Sequence, residues 1–225
     1  AGILTTGVVA LAIASRRTSQ NKKWLLFLAI TIPITIATIY AAGTTIYLNQ
    51  ISTTKGPVHW HADFEIWKCG KNIDLVDPKG SSNRVGTPVL HEHQDNRIHV
   101  EGVVLKTKDV SLSAFFQVVG GSLTEEELRV PTNGGIVSLP REGSCHAQPA
   151  KLQVFVYKVL NPEEQDNWQY AQEKVDHFAN YVLSPYSQIP PGDCIIIELN
   201  AEKEKTDKVC ATYEAAFQRG EISGR

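Results

Sequence analysis

The chain predicts an α+β protein: an N-terminal transmembrane helix hairpin followed by a compact, mainly antiparallel β domain with a few helices, on the extracytoplasmic side. Three observations carry this. Two uncharged apolar stretches lie within the first 48 residues, separated by a basic loop. Several later runs alternate apolar and polar residues as strands do. All four cysteines and every acidic residue fall after residue 50.

The membrane anchor is assigned to residues 1–49. Trp24 to Leu48 contains no charge, and such a length crosses a hydrocarbon core of about 30 Å at about 1.5 Å per residue. Trp24 at one end and Tyr40 and Tyr47 at the other suit the bilayer interfaces. Pro33 is tolerated in a membrane helix as a kink. Residues 1–15 are also uncharged; they match a signal-peptide core in length, but a shortened second span is the preferred reading. Arg16, Arg17, Lys22 and Lys23 lie between the two stretches without an acidic neighbour. The positive-inside bias places this loop in the cytoplasm. Everything after about residue 50 then lies outside, at the cell membrane.

Residues 50–225 form the second domain. They carry 18 basic and 24 acidic side chains, a formal charge of −6. Nucleic acid is therefore excluded as a partner, since its binders show a basic patch. The lipid bilayer and other membrane proteins are the expected partners. Four cysteines in an oxidising compartment favour two disulfides, with three possible connectivities; free thiols in a metal site are the rival reading.

Val58–Trp67 reads as a strand, and a turn at Gly70–Asn72 leads to a short strand at Ile73–Val76. Asp77–Gly86 is a loop rich in Pro, Gly, Ser and Asn. Val89–His93 and Arg97–Leu105 are strands joined by the polar turn Gln94-Asp95-Asn96. Ser111 is a helix N-cap, and Gly120-Gly121 ends that helix. Its residues Leu112, Phe115, Phe116 and Val119 form one apolar stripe. Thr124–Glu127 is expected to form a helical turn. Strands return at Ile136–Leu139 and Lys151–Leu160, and Asn161–Val182 is expected to be helical. A turn at Pro190–Asp193 feeds the apolar strand Cys194–Leu199, and Thr206–Arg219 reads as an amphipathic helix. A strand and its following helix can pack together, which pairs Cys194 with Cys210 and leaves Cys69 for Cys145.

The chemistry concentrates between His59 and Glu101, which hold five of the seven histidines. Residues i and i+2 of a strand face the same side, roughly 6.5–7 Å apart. Each His-x-His pair can therefore aim two imidazoles at one ion. The candidate ligands are His59, His61, His91, His93 and His99, with Asp63, Glu65 and Glu101 in reserve. Imidazole and carboxylate together suit a divalent transition metal, copper or zinc. Five histidines exceed one tetrahedral ion, so some support the ligands or a second ion is held. His146 and His177 read as a loop and a helix-surface residue.

His59-x-His61-x-Asp63, the His91-x-His93 pair with Ile98-His99-Val100-Glu101, and Leu112-Ser113-x-Phe115-Phe116 resemble a little-characterised family. Its members are predicted membrane-anchored extracytoplasmic domains of archaea and bacteria, rich in His-x-His and Ile-His-Val motifs. The resemblance runs from His59 to Phe116 and returns weakly at Val154–Tyr157 and Gly192–Glu198. It implies an external domain of compact mixed fold. Asp63 and Glu101 stand where relatives often carry histidine.

His59-x-His61-x3-Glu65 also has the spacing of the first cupin metal motif, with His91 as a fourth ligand, but the supporting glycines are missing. Nucleophile elbows, P-loops, dinucleotide fingerprints and Cys-x-x-Cys are absent from the sequence. The leading expectation is an extracytoplasmic copper- or zinc-binding domain that serves as a subunit or accessory of a membrane complex and is not itself an enzyme. The alternatives are a structural subunit without metal and a cupin-like metal enzyme.

Overall fold

The computed structural model describes residues 2–14, 19–164, 168–183 and 192–224. The chain divides into two units, residues 1–51 and 52–225, each described here by itself.

In the first unit, α1 spans Gly2–Ala14 and α2 spans Gln20–Ile51. At 32 residues, and with strongly positive hydropathy, α2 is the one described helix long and apolar enough to cross a membrane; the same properties fit a signal sequence. The expected span at 24–48 lies inside it. At 13 residues α1 would extend only about 20 Å, so one long helix stands where a hairpin of two spans is expected. Arg16 and Arg17 of the basic loop lie outside the described residues. The helix runs unbroken through Pro33. The hydroxyls of Thr31, Thr38 and Thr45 each donate to the carbonyl four residues back, at 2.7, 2.9 and 2.8 Å. Polar side chains in an apolar helix are satisfied in this way without an outside partner.

The second unit is built mainly of strands. β1 is Pro57–Lys68, β2 Lys71–Asn72, β3 Val85–Gly86, β4 Leu90–Glu92 and β5 Arg97–Val103. A 3-10 turn at Thr107–Val110 leads to α3, Leu112–Val118. β6 (Ser122–Leu123), β7 (Glu127–Thr132) and β8 (Gly135–Pro140) form a small antiparallel sheet. β9 (Glu142–Cys145), β10 (Gln148–Val159), β11 (Trp168–Lys174) and β12 (Cys194–Asn200) follow. α4 spans Ala211–Gln218 and β13 spans Ile222–Gly224.

Among the described residues the main sheet has ten strands, in the order β13-β11-β10-β12-β1-β5-β4-β3, with β2 beside β1 and β9 beside β10. The β1–β12 and β11–β13 pairs are parallel and the rest antiparallel. β1 therefore lies at the centre, between β12 and β5.

The two faces of this sheet have different chemistry. Directly opposed residues share a face. One face carries Ala62, Phe64 and Ile66 of β1, Ile98 and Val100 of β5, and Ile195 and Ile197 of β12, all at most 2 % exposed. They pack with Leu112, Phe115 and Phe116 of α3. Ser111 caps that helix, its hydroxyl accepting from the Ala114 N–H at 3.3 Å. Burying each of those large apolar side chains contributes about 1.5–3 kcal/mol, so α3 is secured by packing despite its brevity.

The opposite face is apolar from β12 through β10 to β11 and β13. There Phe155, Cys194 and Ile196 pack against Cys210, Tyr213 and Ala216 of α4 and the turn before it. Disulfides join Cys194 to Cys210 and Cys69 to Cys145. The first fastens the start of α4 to β12, so the helix covers this half of the face. The other half, over β1, β5 and β4, bears the histidines.

Four expectations are corrected. Ile73–Val76 does not extend as a strand beyond β2, although the Ile73 N–H still donates to the Ile66 carbonyl. Thr124–Glu127 is the turn of a β-hairpin, not of a helix. The Thr124 hydroxyl accepts from the N–H groups of Glu126 and Glu127, and a threonine can satisfy a turn as readily as a helix start. Asn161–Val182 is not an α-helix in its described part, which holds a strand and a 3-10 turn at Phe178–Asn180. Trp168–Lys174 pairs with β10, and Tyr170 packs against Tyr157 and Phe217 at 5.6 and 5.0 Å between ring centroids. A vacant sheet edge and an aromatic cluster override mixed helical periodicity. The helix expected from Thr206 begins only at Ala211. Pro190 and Pro191 of the expected turn lie outside the described residues.

Candidate metal centre

The register explains how residues far apart in sequence reach one place. His59 opposes Glu101, His61 opposes His99 and Asp63 opposes Arg97 across β1 and β5. His99 in turn opposes His91 across β5 and β4. His61, His99 and His91 thus form a row across three adjacent strands. His59 flanks the row from β1, and His93 flanks it from just past the end of β4.

Two groups of three imidazoles result: His59, His61 and His99; and His91, His93 and His99. Within each group, one ligand nitrogen per residue lies within 4.8 Å of the others. His99 belongs to both. The Nε2 atoms of His59 and His61 are 2.9 Å apart, and those of His91 and His93 are 3.1 Å apart. Ligand nitrogens about 2.0–2.1 Å from one ion stand roughly 2.9 Å apart at a right angle and about 3.3 Å apart at a tetrahedral angle. Both pairs sit at the edge lengths of a coordination sphere.

Hydrogen bonds fix which nitrogens are available. His93 Nδ1 donates to the Asn83 carbonyl, which leaves the Nε2 lone pair facing His91. His99 Nε2 lies 3.2 Å from Asp95 Oδ2. A carboxylate accepts, so Nε2 carries the proton and the His99 lone pair is on Nδ1. That Nδ1 is buried without a hydrogen-bond partner. His91 Nδ1 is also buried without a well-formed hydrogen bond, the Thr87 backbone offering a weak one. An orphaned buried nitrogen costs about 1–3 kcal/mol; an ion at His99 Nδ1 would relieve that cost, whereas His91, which faces His93 through Nε2, would keep its Nδ1 outside the coordination sphere. A ligating histidine that donates its other N–H to a carboxylate or a carbonyl is a recurrent metal-site arrangement.

The electrostatics favour the ligand form. Burial pushes His99 down to about 4, against the opposing pull of Asp95. Burial also lowers His91, with the neighbouring His93 adding to the effect. Both imidazoles are therefore neutral at ordinary pH, as ligation requires.

The reserve carboxylates divide. Glu101 Oε1 is 3.3 Å from His59 Nε2 and sits at the edge of the first group. Asp63 is held by Arg97 at 2.8 Å. Burial nevertheless outweighs the guanidinium and lifts Asp63 to about 6. Glu65 accepts from the Trp67 indole N–H at 2.9 Å, and burial raises its pKa as well. Neither Asp63 nor Glu65 belongs to either histidine group, so the cupin-type set of His59, His61 and Glu65 is not brought together. His146 and His177 are exposed, outside both groups.

Sequence reasoning overlooked three supporting residues. Asp95 looks like an ordinary turn residue, yet it orients His99. Asn83 acts through its backbone, which its side-chain identity does not reveal. Glu92 is buried and accepts from the N–H groups of Asp95 and Asn96 at 2.7 and 3.2 Å. It thereby holds the turn that carries Asp95, where Gln94 and Asn96 both adopt positive φ.

No family model, curated protein or solved structure matches the chain. The class of site is therefore defined by its geometry: a histidine-rich cluster that could hold a metal, on a sheet face beside a disulfide-fastened helix.

Proposed function

We propose that the protein is a membrane-anchored, extracytoplasmic domain that binds copper or zinc and serves as a subunit or accessory of a membrane complex. The observation that carries the metal reading is the pair of three-histidine groups converging on His99, with nitrogen spacings of a coordination sphere. Both cysteine pairs are disulfides and the chain has no methionine. The donor set is therefore imidazole with carboxylate, which suits zinc and copper(II). The disulfides support an oxidising location.

In this reading α2 is the anchor, and α1 docks beside it as a shorter second span. The basic residues between them hold that connection in the cytoplasm, and the paired helices offer a surface to other membrane proteins. The competing reading is a structural subunit, because the His–His, His99–Asp95 and His59–Glu101 contacts form a polar network that can stand without an ion.

Elemental analysis of the full chain purified in mild detergent tests the proposal, before and after His91→Ala combined with His93→Ala. Stoichiometric copper or zinc in the parent and its loss in the variant are expected. Absence of bound metal after reconstitution with either ion would leave the structural reading. Protease accessibility in intact cells tests sidedness: digestion of residues 52–225 from outside is expected, and protection refutes it. A native pull-down in mild detergent tests the complex: co-purifying membrane subunits are expected, and a monodisperse single chain refutes it.

A further inference from the structure

The two histidine groups differ in exposure and share one ligand. The His59 side chain is 62 % exposed, whereas His91 is 1 % exposed. His61 is half-buried and His93 partly exposed. The shared residue, His99, has its Nε2 proton on Asp95 and a single lone pair on the buried Nδ1. In this state it can complete only one three-histidine site at a time.

We propose that the two groups are successive stations for one ion: His59 and His61, with Glu101 beside them, collect a divalent transition metal from solvent, and His91 and His93 retain it, with His99 serving each in turn. This rests on the metal-binding reading above and adds to it a capacity, a direction and a division of labour.

The physical argument has three parts. The outer pair stands on the solvent side with a carboxylate 3.3 Å from His59. Such a group binds an ion quickly, holds it loosely and raises its local concentration. The inner pair is better preorganised, because Asn83 orients His93 and the His91 side chain is packed into the domain, out of solvent. Ligands fixed in this way retain an ion longer, since little reorganisation accompanies binding. The connection between stations is short: the His99 ring centroid lies 4.7 Å from His61 and 4.8 Å from His93. An ion can therefore exchange one outer ligand for one inner ligand while His99 remains bound.

The test uses the full chain in detergent, stripped with chelator and supplied with zinc alone. Zinc retained after desalting is counted by elemental analysis. Uptake is followed by stopped flow against a zinc-responsive dye. The parent is expected to retain one ion per chain. His59→Ala combined with His61→Ala should also retain one ion but load about tenfold more slowly. His91→Ala combined with His93→Ala should bind zinc rapidly and lose it on desalting. His93→Gln, at a less buried position, should show the same loss and guards against misfolding of the double variant.

Two ions retained by the parent would overturn the shared-ligand argument. Unchanged loading in the outer variant, or loss of its retained ion, would overturn the assignment of roles. A parent that binds no zinc, even transiently, would instead refute zinc binding in the underlying reading.

Discussion

Replacing Asp95 with asparagine isolates the role of one carboxylate. Asp95 Oδ2 accepts from His99 Nε2 at 3.2 Å, and its Oδ1 accepts from the Arg97 N–H, also at 3.2 Å. Asparagine retains an oxygen for the backbone contact but removes the negative charge beside the imidazole. The imidazole of His99 is then a weaker electron donor and its orientation is less firmly held. Removing such a supporting partner costs about 10–100-fold in metal affinity. Two observations place this case at the lower end. The contact is longer than the 2.7–2.9 Å typical of charge-assisted pairs, and the Asp95 side chain is 43 % exposed. The expected loss is about tenfold, or about 1.4 kcal/mol. Competition titration of zinc against a chromophoric chelator measures it, with Asp207→Asn as a control far from the histidines in hydrogen-bonding terms. Parent affinity in a variant that melts normally would refute the inferred tautomer of His99.

Three further outcomes are expected. Replacing Cys194 and Cys210 by serine opens a link of sequence separation 16 and should lower stability by about 3 kcal/mol; the same change at Cys69 and Cys145, separation 76, should cost about 4.5 kcal/mol. Chemical denaturation of the full chain in detergent, followed by tryptophan fluorescence, checks both. The ion pair gives a second test: Arg97→Gln leaves the Asp63 carboxylate buried without its guanidinium and should cost about 3 kcal/mol at neutral pH, with part of the loss recovered on acidification as Asp63 takes a proton. Unchanged stability across that range would show the pair to be energetically neutral. The third outcome concerns pH in the metal-free protein. His99 is depressed to about 4, so the unfolded chain protonates first as pH falls, and stability present above about 6.5 is lost toward about 4. Asp63 is raised to about 6, so the folded chain binds its proton first and gains stability over nearly the same window. Each contribution is on the order of 3 kcal/mol at full extent. These two contributions nearly offset each other, so Asp63→Asn should lose more stability on acidification than the parent does. A smaller loss in the variant than in the parent would refute the sign assigned to Asp63.

The legible parts of the sequence were those with strong local periodicity. Uncharged length marked α2, period-two alternation marked β1, and β-prone or apolar runs marked β10 and β12. The stripe of Leu112, Phe115, Phe116 and Val119 marked α3 and its buried face. The histidine cluster was legible because two His-x-His pairs place ligands on one side of their strands whatever the partners turn out to be. Asn161–Val182 was misread because its mixed charges leave local preference weak, and the open edge of β10 decides the outcome. Thr124 was misread because its hydroxyl satisfies backbone donors equally well in a turn.

Which side chains could be ligands was thus determined by the sequence alone, through residue type and the two-residue repeat of a strand. Which of them meet was decided by strand register. Register set His99 opposite both His61 and His91 and made it common to two groups. It also set Asp63 opposite Arg97, while Glu65 turned to Trp67. Cross-strand pairing depends on long-range sheet order, with β1 between β12 and β5, and no local pattern contains that information. The same sheet order left half of one face to α4 and half to the histidines, because the Cys194–Cys210 link fastens the helix over β12.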